Sequence, residues 1–97
     1  MVLQVYITNL KEINFNDSII TDEVTNMSNM FYNSTNLKTI YATDKFIVNK
    51  VNNNSLMFYD CKKLKCGSGT TYNSSKVDKT YARLNGGTSL PGYFTSK

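Results

Sequence analysis

The chain contains no histidine, which removes Ser-His and Cys-His catalysis and the usual zinc sites. Its two cysteines, Cys61 and Cys66, have no further soft ligand in the sequence and cannot build a structural metal centre. No stretch approaches the roughly 18 to 20 apolar residues of a bilayer-spanning helix, and the N-terminus lacks the basic-then-apolar order of a signal peptide. The acids Glu12, Asp17, Asp22, Glu23, Asp44, Asp60 and Asp78 show no pairing that sets an acid and a base apart. Gly67 to Gly69 is too short to cradle a phosphate at the start of a helix. No catalytic residue, cofactor or metal is expected, and the chain reads as a soluble non-enzyme.

Proline occurs once, at Pro91, while asparagine is abundant and includes the run 52–54. That bias would suit a disordered tract, but Ile, Leu, Val, Met, Phe and Tyr recur throughout and supply apolar anchors. At 97 residues the chain makes one domain at most, with a modest core. Triplets of the glycan-acceptor form begin at Asn26, Asn33 and Asn73 among others, at a frequency that chance explains in such a composition. The net charge of +4 belongs to the C-terminal third, where Lys62, Lys63, Lys65, Lys76, Lys79, Arg83 and Lys97 face only Asp60 and Asp78. These cations are scattered among Gly, Ser and Thr without a dense arginine-rich run, so nucleic acid is not an expected partner.

What the chain does have is a repeat. "VTNMSNMFYNSTNLK" from Val24 returns 27 residues later as "VNNNSLMFYDCKKLK" from Val51. The same shift sets "LKEINFNDSIITDEV" over "LKTIYATDKFIVNKV", matching Leu10 to Leu37, Lys11 to Lys38, Ile13 to Ile40, Asp17 to Asp44 and Ile20 to Ile47. A fixed period of this size signals units that bury their apolar sides only by stacking. "LKTIYA" reads as a short strand. Thr25 or Asn26 can cap a short helix, with Met27, Met30 and Phe31 on one helical face. The expected fold is an α/β solenoid of strand, polar bend and short helix. Leu37, Ile40, Ala42, Ile47, Val51, Met57, Phe58 and Leu64 point inward, and Asp17 and Asp44 bond turn amides. Residues 10–66 form about two units of period 27, preceded by an edge strand or truncated repeat at 1–9 and followed by a C-terminal cap at 67–97.

These segments, and the tail "GSGTTYNSSKVDKTYARLNGGTSLPGYFT", resemble the BspA-like leucine-rich-repeat surface proteins of bacteria. The resemblance implies a right-handed solenoid, located on the bacterial cell surface or secreted, that adheres to host or microbial proteins or glycans. It implies a monomer within a longer chain and no membrane insertion. It also implies a lone buried thiol at Cys61, favouring two free thiols over a Cys61–Cys66 disulfide.

The tail's Tyr72, Tyr81, Tyr93 and Phe94, with the turns at Gly86-Gly87 and Pro91-Gly92, suit a cap. The alternative is a sugar or polyanion site made by these aromatics with Lys76, Lys79 and Arg83. On the strand reading, Thr39, Tyr41 and Thr43 point away from the core beside Glu12, Asn14 and Asn16. Tyr41, Thr39, Thr43, Asn14 and Asn16 are the candidate ligand-binding residues, with Tyr41 as the aromatic anchor. The other reading of the chain is a purely structural capping fragment with no ligand.

Overall fold

Leu-Lys-x-Ile returns as extended chain because aromatic and β-branched residues suit a pleated, half-buried surface. The structure, a computed structural model, describes residues 9–17, 19–67 and 69–96. Three short strands, β1 (Glu12–Asn14), β2 (Thr39–Ala42) and β3 (Phe94–Ser96), form one parallel sheet in that order. The repeat spacing is the sheet register, for Glu12 faces Thr39, Ile13 faces Ile40 and Asn14 faces Tyr41. Across the other edge of β2, Ile40 faces Phe94 and Tyr41 faces Thr95. Alternate residues of a strand point to opposite sides. The row Ile13, Ile40, Phe94 therefore turns to the core, and the row Asn14, Tyr41, Thr95 turns away from it.

The expected helices are not there, and the α/β solenoid is corrected accordingly. Among the described residues there is no α-helix, only a 3-10 turn at Lys79–Tyr81, and the molecule measures 31 × 25 × 24 Å rather than extending as a superhelix. The backbone explains why. Asn29 and Asn33 have φ of 59° and 63°, and their repeat counterparts Leu56 and Asp60 have 58° and 66°. Such left-handed residues end an α-helix within a turn, and asparagine tolerates them best among non-glycines.

The amides of this segment then divide between two sets of partners. Those of Met27, Asn29, Phe31 and Asn33 donate to the carbonyls of Asn53, Ser55, Met57 and Tyr59 in the next unit, at 2.7 to 3.0 Å. Those of Met30 and Tyr32 between them, and of Ser34 just after, stay local, Met30 donating to Met27, Tyr32 to Asn29 and Ser34 to Phe31. Asn26 does act as a cap in chemistry, its Oδ1 accepting from the Ser28 amide at 3.0 Å, but a chain of turns follows instead of a helix. Ser28, Asn29, Asn33 and Ser34 are poor helix formers, so the inter-unit hydrogen bonds win.

Apolar side chains from both units meet inside. Val24, Met27, Met30, Phe31, Leu37, Ile40, Val51, Met57, Phe58 and Leu64 are all buried. The Phe31 and Phe58 rings, related by the repeat, stack at 5.2 Å. Of the positions expected inward, Ile47 is only half-buried, and its counterpart Ile20 is 61% exposed. What is held there is backbone: buried Thr21 donates to the Ile47 carbonyl at 2.6 Å and accepts from the Ile47 amide at 2.8 Å. One threonine hydroxyl thus satisfies both polar groups of the facing residue.

After Lys65, whose amide still pairs with the Lys38 carbonyl, the chain leaves the pattern. Lys65 bridges antiparallel to Thr71, and the Cys66 amide donates to the Thr70 carbonyl at 2.8 Å. Gly67, at φ 49°, makes that reversal without the penalty a side chain would incur. The place beside β2 is taken by β3 instead. Gly92 permits it, since a Cβ there would collide with the Arg83 carbonyl oxygen as the chain passes 83–84. Tyr93 and Phe94 enter the core behind it. Residues 1–8, which hold most of the expected N-terminal edge strand, lie outside the described residues.

Candidate functional site

Side chains that alternate with core residues on a three-stranded sheet form a surface whose backbone is fixed and whose chemistry is free. Asn14 stands opposite Tyr41, and Tyr41 opposite Thr95, in one row across the sheet. Thr39 stands opposite Glu12 at the start of the strands. Asn14 and Asn16 are exposed, whereas Thr39, Tyr41 and Thr43 are half-buried, so Tyr41 offers part of its ring rather than a fully open face.

A groove of about 430 Å³ at the C-terminal end of the strands brings together Asn14, Asn16 and Thr43. Thr39 and Tyr41 do not line it. Sequence reasoning missed its other polar members, the repeat-related Asp17 and Asp44 together with Ser96. The two aspartates carry a signal, their recurrence at period 27, but that recurrence fits bonds to turn amides equally well. The turn after β2 is instead tied by Thr43, whose Oγ1 accepts from the Lys45 amide at 3.2 Å. Ser96 reaches the groove through β3, a pairing that no repeat in the sequence announces. Among the described residues no three His, Cys, Asp or Glu side chains converge as metal ligands.

Several of the tail's cations and aromatics are engaged with the fold itself. Lys79 Nζ donates to the Val51 carbonyl at 2.6 Å, and Arg83 Nε to the Pro91 carbonyl at 2.8 Å. Lys76 lies 6.0 Å from the Tyr81 ring centre. Tyr93 is fully buried, packs on Phe58 at 4.9 Å, and its hydroxyl donates to the Lys76 carbonyl at 2.8 Å while accepting from the Asn73 amide at 3.0 Å. Tyr72 and Tyr81 are half-buried against the same core. Two of the three cations are therefore engaged with backbone, and two of the four aromatics are wholly interior. No helix among the described residues is long and apolar enough to cross a membrane.

Both cysteines are free thiols. Cys61 occupies the place of buried Ser34 in the preceding unit and points at the Phe31 carbonyl at 3.1 Å. Burial pushes its pKa from 9.0 up to about 12, and burial likewise pushes the Tyr93 phenol from 10.0 up to about 12. Both groups stay protonated in the folded chain after their unfolded counterparts have ionised. The folded state then binds more protons, so stability is complete below about pH 9 and falls as the pH rises toward about 12. The expected result is a melting temperature that declines steadily across that window, and a flat profile would contradict the burial of these groups. With a thiol reagent at neutral pH, half-buried Cys66 is expected to react in the native protein and Cys61 only on unfolding.

A family model described as "Mycoplasma protein of unknown function, DUF285" matches residues 6–94. No curated protein and no solved structure matches the chain.

Proposed function

Since the chain belongs to the DUF285 family, with its model matched from residue 6 to residue 94, we propose that it is a non-enzymatic binding module of a repeat protein of the BspA-like surface kind. It works outside the cell, as a monomeric part of a longer chain, on a protein or glycan of a host or of another microbe. One observation carries the reading. Along β1 and β2 the inward pair is Ile13 and Ile40, the same residue twice, whereas the outward pairs are Glu12 with Thr39 and Asn14 with Tyr41. Along these two strands the backbone is repeated while the displayed side chains are not, which suits a surface that specialises for a partner.

Glycan and protein arrays at physiological salt test this. For any ligand found, Tyr41→Ala is expected to weaken binding by about 1 to 2 kcal/mol with little change in melting temperature. Undiminished binding by that variant removes the sheet face as the site. A second reading, a structural capping fragment without a ligand, is favoured by the inward commitment of Tyr93, Phe94, Lys79 and Arg83. Arrays that remain silent would favour it.

A further inference from the structure

The pair Leu-Lys recurs at Leu10-Lys11, Leu37-Lys38 and Leu64-Lys65. The backbone lays these lysines side by side, the Lys38 amide donating to the Lys11 carbonyl at 2.9 Å and the Lys65 amide to the Lys38 carbonyl at 3.0 Å. Neighbouring chains so paired lie about 4.8 Å apart. A groove of about 380 Å³ beside them is lined, among the described residues, by Lys11, Asn36, Lys38 and Lys63. All four lysines are exposed.

The column is unusual for its sign. The repeat-related pair Glu23 and Lys50 carries opposite charges and closes an ion pair at 2.8 Å, and Lys62 pairs with Asp60 at 3.3 Å. Among the described residues, Lys11, Lys38, Lys63 and Lys65 have no such carboxylate. Like charges directly across paired chains oppose folding. An arrangement that the fold neutralises in one column and leaves uncompensated in another is one that a bound anion would relieve.

The geometry points to a binding site for a linear anionic polysaccharide, bearing sulfate or carboxylate groups, that runs along the Lys11, Lys38, Lys65 column. Lysines present point charges to successive anionic groups, and the Asn36 amide can both donate to and accept from sugar hydroxyls. Single-stranded nucleic acid fits less well, because no aromatic side chain among the described residues lines the groove to stack a base. A duplex calls for roughly 1,000 to 2,500 Å² of protein surface, far more than this corner offers. A lipid surface is flat, and the lysines flank a groove. This surface is separate from the sheet face, so its test does not depend on that proposal.

Size-defined heparin fragments serve as the probe, titrated from 0.05 to 0.3 M salt, roughly the range over which counterion release is resolved. The wild-type chain is expected to bind heparin with salt-dependent affinity, and Tyr41→Ala to bind it equally well. The triple variant K11Q/K38Q/K65Q is expected to lose at least about tenfold in affinity and to lower the slope of log K against log salt by about two to three. The control K45Q/K76Q should keep both, with unchanged melting in all variants. Equal losses in the control would reduce the effect to net charge and overturn the site. So would wild-type affinity in the triple variant, no heparin binding at 0.15 M salt, or tighter binding of single-stranded DNA or of phosphatidylserine vesicles.

Discussion

Replacing Phe58 by alanine is expected to cost about 3 to 5 kcal/mol, enough to unfold much of a chain whose total stability is on the order of 5 to 15 kcal/mol. The Phe58 ring is wholly buried and touches both halves of the molecule. It stacks on Phe31 at 5.2 Å and meets the edges of Tyr93 at 4.9 Å and Phe94 at 6.2 Å. Removing it leaves a cavity bounded by rings that cannot collapse together without leaving their rotamers. Phe31→Ala is expected to act similarly, since Phe31 also meets Phe15 at 6.1 Å. Thermal and denaturant melts of the two variants check this, and wild-type-like transitions would refute the interior assignment.

Deleting residues 71–97 is expected to yield a protein that aggregates or dimerises. The deletion strips β3 from the edge of β2 and withdraws Tyr93 and Phe94 from the core. It also removes the Lys79 ammonium from the Val51 carbonyl. Ile40, Phe58 and Leu64 lose cover, and an unpaired strand edge is left beside them. Size-exclusion chromatography decides the matter. A stable monomer would mean that the tail is an independent arm and would strengthen the case that it binds something itself.

Much of the core was legible in the sequence, because the side chains that must meet across units are the ones that repeat. Leu37, Ile40, Val51, Met57 and Leu64 could be assigned from period 27 alone, and all are buried. The strand at Thr39–Ala42 was legible for the same reason. The helix was misread because Met27, Met30 and Phe31 fall on one helical face, yet a string of turns with Asn29 and Asn33 left-handed buries the same three side chains. Periodicity reports which residues face inward; it is silent on whether the backbone satisfies its amides within the segment or in the next unit. The third strand was hidden for another reason. Its partner on Ile40 is Phe94, at twice the repeat spacing, in a stretch with no repeated letters. At the candidate site, Asn14 and Asn16 could be paired with Thr43 by simple offset, but Ser96 could not.

The alternating amides of residues 27–33 govern how such a chain can change over generations. Substitution on the outer positions leaves each inter-unit bond in place, because those bonds run from backbone to backbone. Gaining or losing one residue within that stretch is different. It would exchange the amides that reach across for those that stay local, and would shift Phe31 out of its stacking register with Phe58. Spelling can drift at the outer positions of this segment while its length cannot, so lineages should diverge there by replacement, and insertions should gather in the turn after Lys65 or near the exposed turn at Leu90.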